Sequence, residues 1–149
     1  MEVLNSYDFD KTEFFDEKFV KEHKKIQKVF INSLTPLLIL WFLSKEDLHG
    51  YGLMKKLDSF FQFQIEKGIL KKFNSSKVYP ILQKAESIEF IEGNWKINNG
   101  KRIKVYNLTD KGYKFLYSMR KRNFYLLEEH KLDNFIEFQD FLISNPDND

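Results

Sequence analysis

Apolar side chains recur at helical intervals over the first third of the chain. One stripe predicts an amphipathic helix over about residues 11–31, with these members: Phe15, Phe19, Ile26, Val29 and Phe30. Ser33 or Thr35 is expected to cap a second helix, which has Pro36 in its first turn. This second helix is apolar on all sides from Leu37 to Leu43, which is typical of a buried helix.

Two further helices and a polar connector are predicted next. Asp47 can cap a helix over about residues 48–61, and residues 62–74 form the connector. A fourth helix begins after a cap at Ser75 or Ser76 and ends near Ile88. Its inward face consists of residues at helical spacing: Val78, Leu82 and Ala85.

A β-hairpin and a long last helix complete the pattern. Residues 90–97 and 101–108 are strand-like, and the Asn-Gly pair between them favours a hairpin because it tolerates the positive φ angles of a tight turn. Thr109 is expected to cap a helix over residues 110–143, either continuous or broken near His130. Such a helix exceeds what a small domain can cover, so its apolar residues need a partner or must fold back on the domain.

Composition and charge limit what this chain can do. Its 149 residues suit one domain with a helical arm, and the lack of cysteine excludes disulfides and thiolate metal sites. The net charge of +2 is unevenly distributed, because residues 67–122 carry 14 Lys and Arg but 4 acids, whereas residues 123–149 carry 1 Lys and 7 acids. A basic block of this kind suits a polyanion, although a solvated lysine-rich surface would have the same charge.

The sequence has few features of an enzyme or of a membrane protein. It has no Gly-rich phosphate loop, no Gly-x-Ser-x-Gly elbow and no His-Glu-x-x-His metal motif. His49 has no partner at ligand spacing, so a structural role is expected for it. We expect no enzymatic activity, no cofactor and no metal. The longest apolar run, residues 36–43, is too short to span a bilayer, so a cytoplasmic protein without a membrane segment is expected.

The order of elements and the position of the basic block point to one fold. Three compact helices followed by a two-stranded wing form the winged helix-turn-helix plan. The expected class is mainly α with a small antiparallel β-hairpin (α+β), flanked by an N-terminal helix and a long C-terminal dimerisation helix. Residues 1–32 would be a helical extension, residues 33–109 the DNA-binding domain, and residues 110–149 the dimerisation helix with a short tail.

Four stretches of the chain carry a resemblance to a known family. They are the apolar helix 37–43, the segment His49-Gly50-Tyr51, the segment Val78-Tyr79-Pro80-Ile81-Leu82, and the segment Tyr106-Asn107-Leu108-Thr109-Asp110-Lys111-Gly112. Over residues 34–122 the chain resembles the PadR-like transcriptional regulators. It departs from their pattern at Ala85, where Leu is usual, and at Glu89, where Gly is usual.

The resemblance implies a homodimer that represses transcription from a pseudo-palindromic site. The C-terminal helix and the N-terminal extension supply the candidate dimer seam: Phe15, Phe19, Leu116, Phe124, Leu127, Leu132, Phe135, Ile136, Leu142 and Ile143. Some relatives bind aromatic effectors at a dimer cavity. Trp41, Tyr117 and Phe124 could line such a cavity here, although ordinary core packing is the favoured interpretation.

The fourth helix and the wing supply the candidate DNA contacts. A recognition helix places its N-terminal residues at base edges in the major groove, where Gln83 could pair with adenine and lysines could meet phosphates or guanine. The candidates on the helix and wing are Ser75, Ser76, Lys77, Tyr79, Gln83, Lys84, Lys96, Asn99, Lys101, Arg102 and Lys104. In the alternative interpretation Ser76 only caps, Tyr79 only packs, and the wing tip is a solvated turn. Trp95 is expected to pack between wing and core rather than to stack on a base.

Two functions of different classes remain open from the sequence. The favoured one is a sequence-specific, double-stranded-DNA-binding transcriptional regulator, a repressor that acts as a homodimer. The alternative is a winged-helix module that binds another protein and does not read DNA.

Overall fold

The computed structural model describes residues 17–128 together with residues 137, 138, 140, 141 and 144, and for residues 17–20 and 122–128 it describes the backbone alone. The elements follow in the order α1 (Glu17–Lys45), β1 (Leu48–His49), α2 (Gly50–Phe60), α3 (Gln62–Glu66), α4 (Ser75–Ser87), β2 (Ile91–Asn98), β3 (Lys101–Leu108) and α5 (Asp110–Glu128). This helix-rich chain with a small antiparallel sheet confirms the predicted fold class.

Two compact units make up the chain, residues 24–119 and residues 1–23 together with 120–149. The first unit holds most of α1, the first part of α5 and every element between them. Of the second unit, the structure describes the helical residues 17–23 and 120–128 and the five isolated positions. The division at residues 32 and 109 that the sequence suggests stays a prediction.

The first helix is continuous where the sequence predicts a break. Ser33 Oγ donates to the carbonyl of Phe30 at 2.7 Å, and Thr35 Oγ1 donates to the carbonyl of Ile31 at 2.7 Å. Both hydroxyls therefore bond backwards within one helix instead of capping a new one. Pro36 lacks an N–H and lies inside α1. The prediction of two helices separated near residues 32–35 is wrong, because these contacts and burial on both sides of the proline hold the helix together.

The core of the first unit lies where α1, α2 and α4 meet. Its fully buried side chains come from all three helices: Ile39, Leu53, Leu57, Val78 and Leu82. The sheet closes one side of this core with Ile91, Tyr106 and Leu108. Each fully buried aliphatic side chain contributes roughly 1.5–3 kcal/mol, so this cluster is the main source of stability for the unit.

The stretch Lys21–Lys45 of α1 is, by length and composition alone, apolar enough to cross a membrane. Its apolar side chains include Ile31, Leu38 and Leu43, which are buried in the core of the first unit. Burial of these side chains accounts for part of the apolar composition of the stretch, whereas others, such as Phe30 at 66%, are exposed.

The connector between α2 and α4 is more structured than the sequence predicts. It contains the short helix α3 and buries Leu70 and Phe73, and the ring of Phe73 stacks on that of Phe61 with centroids 5.8 Å apart. The Phe73 N–H donates to Asp58 Oδ1 at 2.7 Å. This hydrogen bond ties α2 to Phe73, two residues before the start of α4.

The hairpin is confirmed, and a third strand joins it. β2 and β3 pair antiparallel from Ile91–Leu108 to Asn98–Lys101, and the turn residues Asn99 and Gly100 have φ angles of +50° and +76°. Positive φ at both central residues is the reason an Asn-Gly pair suits this turn. The short strand β1 pairs with β3 and was not apparent in the sequence, so the sheet order is β1-β3-β2.

The start of α5 is capped as the sequence predicts. Thr109 Oγ1 accepts a hydrogen bond from the Gly112 N–H at 3.1 Å and donates to the carbonyl of Glu89 at 2.6 Å. The Thr-x-x-Gly segment therefore both begins α5 and joins it to the loop before β2. Of the predicted extension to residue 143, the structure describes residues 137, 138, 140 and 141, which are helical, whereas the predicted break near His130 lies outside the described residues.

Candidate nucleic-acid interface

The N-terminus of α4 is capped by a different residue from the ones predicted. The Asn74 side chain accepts a hydrogen bond from the Lys77 N–H at 3.1 Å. The prediction that Ser75 or Ser76 is the cap is wrong, because asparagine one residue earlier already satisfies this N–H. Ser75 and Ser76 lie in the first helical turn with exposed side chains, where a phosphate would also meet the positive end of the helix dipole.

One stripe of α4 faces away from the core. Val78, Leu82 and Ala85 are buried, and at 3.6 residues per turn the opposite stripe includes Ser76 and Gln83. Both of these polar side chains are exposed. A helix with an apolar face anchored in the core and a polar stripe outside can lie in a groove without losing its own packing.

Tyr79 lies at the edge of this stripe and has a close partner in α2. A Cβ atom on Gly50 would lie 2.7 Å from Tyr79 Oη and 3.0 Å from Tyr79 Cζ. Glycine at position 50 therefore leaves room for the tyrosine ring against the start of α2. Tyr79 is nevertheless 40% exposed, so the packing role and the surface role that the sequence sets against each other coexist.

Lysines surround the N-terminal end of α4. Lys77 is half-buried, with Nζ 4.5 Å from the ring centroid of Phe73. Burial lowers the pKa of Lys77, and the positive charge of Lys28 in α1 lowers it further. Lys77 therefore lies on a flank of α4 and not on its outer stripe. Three further exposed lysines that belong to none of the sequence motifs add positive charge near this end of the helix: Lys28, Lys71 and Lys72.

The tip of the wing carries exposed polar and basic side chains. Lys96, Asn99, Lys101 and Arg102 are all exposed. None of the three cations has an ion-pair partner among the salt bridges of the described residues. The tip can therefore approach a polyanion without first breaking an ion pair of its own.

Lys104 differs from the other wing lysines because it is tied to α4. Its Nζ lies 2.9 Å from Glu86 Oε1, and the two side chains are 28% and 30% exposed. The hydrogen bond to Glu86 raises the pKa of Lys104. Gly93 makes room for this pair, since a Cβ there would lie 2.3 Å from Lys104 Cε. The pair joins β3 of the wing to α4, a contact that the sequence could not show.

Trp95 does not pack between the wing and the core. It is 57% exposed, and the guanidinium carbon of Arg102 lies 4.5 Å from the centroid of its ring. The prediction of core packing is wrong because the hairpin projects beyond the buried residues Ile91 and Tyr106, so its distal half meets solvent.

His49 occupies β1 immediately before α2, half-buried, with its ring 6.1 Å from that of Tyr51. Its Nδ1 would lie 3.0 Å from a Cβ on Gly52, so it packs against the first turn of α2. Within the described part of the chain, no group of three or more His, Cys, Asp or Glu side chains could hold a metal ion.

Most of the predicted dimer seam cannot be placed. The side chains of Phe15, Phe19, Phe124, Leu127, Leu132, Phe135, Ile136, Leu142 and Ile143 lie outside the described residues. Leu116 is described, and it packs, partly buried, against the core of the first unit. Of the three residues suggested for an effector cavity, Trp41 and Tyr117 are exposed and the side chain of Phe124 is not described.

An apolar cleft of about 620 Å³ opens between α1, α4 and α5. Its lining includes Pro36, Leu40, Ile81, Ile88 and Phe115. Neither Trp41 nor Tyr117 lines it. The polar residues of its lining are Ser33 and Lys84. Lys84, a predicted DNA contact, therefore lies at the border between an apolar surface and the outer stripe of α4.

The three-helix unit, the short strand before α2 and the basic hairpin after α4 define a winged helix-turn-helix domain, a class of DNA-binding domain. The family model of the PadR-like transcriptional regulators matches residues 39–118, which is more than half of the chain. The chain therefore belongs to the PadR-like family of transcriptional regulators, as the sequence motifs suggest.

Several solved structures are similar to this chain. A PadR-like transcriptional regulator from Bacillus cereus is 25% identical, with a TM-score of 0.51 over 70% of this chain and 92% of that one. A transcriptional regulator from Thermoplasma acidophilum is 25% identical, with a TM-score of 0.50 over 78% of this chain and 98% of that one. Bacillus subtilis PadR, solved in complex with operator DNA, is 28% identical with a TM-score of 0.44, over 58% of this chain and 46% of that one. No curated protein matches the chain.

Proposed function

We propose that this chain is a sequence-specific, double-stranded-DNA-binding repressor that acts as a homodimer in the cytoplasm. In this proposal α4 enters the major groove, and the wing contacts the backbone or the minor groove beside it. The observation that carries the proposal is the Glu86–Lys104 ion pair, which ties the flank of α4 beside its exposed stripe to the basic wing.

The recognition helix supplies groups that suit base edges and phosphates. Gln83 can form a bidentate pair with adenine, and Lys84 can reach guanine or a phosphate. Ser75 and Ser76 lie at the helix N-terminus, where backbone N–H groups and the helix dipole favour a phosphate. Tyr79 Oη would bind a neighbouring phosphate while its ring stays against Gly50.

The wing supplies charge without sequence readout. Lys96, Lys101 and Arg102 are exposed around the turn, and each phosphate that such a cation neutralises releases counterions. Asn99 holds the turn and can also donate to a phosphate. Lys77, on the flank of α4, would add a further phosphate contact next to Lys28 and Lys72.

A homodimer would present two copies of this surface to one DNA duplex. Two copies related by a two-fold axis would place their recognition helices about 34 Å apart, one turn of DNA, on a pseudo-palindromic site. The seam residues predicted from the last helix and the N-terminal helix would join the copies, and an aromatic effector at that seam stays a prediction. The proposal includes no catalytic step.

Selection of bound duplexes from a random pool at 150 mM salt tests the proposal. We expect enrichment of a pseudo-palindrome, and we expect Gln83→Ala to weaken binding mainly at one position of each half-site. Lys56→Ala is the control. It removes a surface cation that pairs with Glu46, just after the end of α1, at 3.2 Å and that is not among the predicted DNA contacts.

The outcomes separate the two candidate functions. Enrichment that Gln83→Ala changes and Lys56→Ala does not would support a sequence-reading regulator. Recovery of no preferred sequence, with only salt-labile binding to any duplex, would overturn it and favour the protein-binding module. Sedimentation of the recovered complex gives the number of chains per site.

A further inference from the structure

One face of the wing combines exposed apolar side chains with basic ones. Side chains alternate along a strand, so Ile91, Gly93, Trp95 and Ile97 share one face of β2. The register places Lys104 opposite Trp95 and Arg102 opposite Ile97. At the base of this face Ile91 is buried, whereas towards the tip Trp95 is 57% and Ile97 81% exposed.

This face is the one on which the recognition helix packs. Lys104, opposite Trp95, is bonded to Glu86 of α4 at 2.9 Å. The face therefore continues past the contact with α4 towards the turn, and its exposed distal end, formed by Trp95 and Ile97, is called the overhang here. A duplex seated on the outer stripe of α4 would pass beside this overhang.

The charge around the overhang identifies what can cover it. Residues 93–104 include four cations, Lys96, Lys101, Arg102 and Lys104, and no acid. The Arg102 guanidinium lies over the Trp95 ring, so a cation is carried on the aromatic side chain itself. An apolar pair bordered by cations complements a DNA minor groove, which has a strongly negative potential and admits arginine where it is narrow.

We propose that Trp95 and Ile97 form an apolar wedge that enters the minor groove beside the recognition site and partly unstacks one base step. The wedge rests on the proposed function, since α4 must first place the duplex. Apolar wedges of this kind kink DNA by about 20–90° towards the major groove. Pyrimidine–purine steps unstack most easily, so a TA or CA step is expected at that position of the selected sequence.

The test uses duplexes of the selected sequence with 2-aminopurine placed at one position after another. Unstacking raises the fluorescence of this base analogue. We expect wild-type protein to raise it several-fold at one step of each half-site, and energy transfer between dyes at the duplex ends to report a bend. Trp95→Ala with Ile97→Ala is expected to remove both signals. Lys101→Ala, which removes a neighbouring wing cation, should keep both signals in the fraction that is bound.

The experiment distinguishes failure of the wedge from failure of the proposed function. The wild-type protein could bind the selected duplex and protect the bases next to the wing, yet leave the fluorescence at every 2-aminopurine position and the end-to-end distance of the duplex unchanged. In that case the wedge is wrong and the proposed function as a DNA-binding regulator still stands. If no sequence is selected, the proposed function fails and the wedge with it. If both signals persist in the double variant, another group unstacks the step and the wedge is also wrong. The melting curve of the double variant shows that it is folded, so that loss of its signals can be assigned to the two side chains.

Discussion

The Glu86–Lys104 ion pair leads to a prediction in which the direction of the change in DNA affinity distinguishes two explanations. Glu86→Gln removes the acceptor charge that holds Lys104 but keeps the shape of the side chain. Simple electrostatics predicts that loss of an acid next to the DNA surface strengthens DNA binding. We expect Glu86→Gln to weaken DNA binding, because the pair positions the wing relative to α4. Without the pair, the wing must become ordered when DNA binds, and this ordering reduces the binding free energy.

The magnitude follows from the geometry of the pair. Its length is 2.9 Å and its side chains are 30% and 28% exposed. Exposed ion pairs contribute about 0.2–1 kcal/mol to stability, and charge-assisted hydrogen bonds contribute about 1.5–3 kcal/mol. Because solvent screens this partly exposed pair, its contribution should lie between these ranges, at roughly 1 kcal/mol. The Tm of the first unit should fall by roughly 4–8 °C. The affinity for the selected duplex should fall about fivefold, since 1.4 kcal/mol is a factor of ten.

Titration of the selected duplex by fluorescence anisotropy at several salt concentrations measures this effect. Glu89→Gln is the matched control, because Glu89 is exposed and pairs with Lys111 only at 4.0 Å, so it removes the same charge without releasing the wing. In a double-mutant cycle with Lys104→Met, the two losses should not add. The salt slope of Glu86→Gln should stay that of wild type. Tighter binding by Glu86→Gln would refute the positioning role.

Three further predictions rest on single contacts. Gly112→Ala puts a Cβ 2.3 Å from the carbonyl oxygen of Phe90. Overpacking of up to about 3 kcal/mol should outweigh the gain of about 1 kcal/mol in helix propensity. Thermal unfolding should therefore show a decrease of about 2 kcal/mol in the free energy of unfolding. Lys77→Met removes a lysine whose pKa burial lowers, so it should raise the Tm modestly while weakening DNA binding. That gain in stability should shrink as the pH rises towards the lysine range, where wild-type Lys77 loses its charge. Gly50→Ala pushes on Tyr79 Oη at 2.7 Å, so it should weaken DNA binding as much as Tyr79→Phe, with no further loss when the two are combined.

Each of these predictions has a control in the same part of the chain. Lys114→Ala, exposed in α5, should leave the Tm unchanged while Gly112→Ala lowers it. Lys72→Met should weaken DNA binding without raising the Tm, because Lys72 is exposed. Gly52→Ala places its Cβ against His49 and not against Tyr79, so it should keep wild-type DNA affinity. An unchanged Tm for Gly112→Ala, a lower Tm for Lys77→Met, or full affinity for Gly50→Ala would contradict the corresponding contact.

Local signals explain why much of the fold could be predicted. The hairpin follows from Asn99-Gly100, whose positive φ angles few other pairs adopt, and the start of α5 follows from Thr109, whose hydroxyl caps it. The break near Pro36 was mispredicted for the converse reason. Proline and two hydroxyl residues favour a helix start locally, but burial of the surrounding residues and back-bonding of the hydroxyls favour continuity. Strand β1 has two residues, too few to produce an alternating pattern.

The candidate site shows a different limit, because its geometry depends on pairs of residues distant in sequence. The sequence places glycines at 50, 93 and 112 but does not show what approaches each one. In the structure those partners are Tyr79, Lys104 and the backbone of Phe90. The His-Gly-Tyr segment and the Tyr-Pro segment of α4, which resemble the family as two separate motifs, meet here as two sides of one contact between Gly50 and Tyr79. A motif can therefore be recognised without its partner, whereas the position of a candidate DNA-binding side chain such as Tyr79 follows only when both sides of the contact with Gly50 are known.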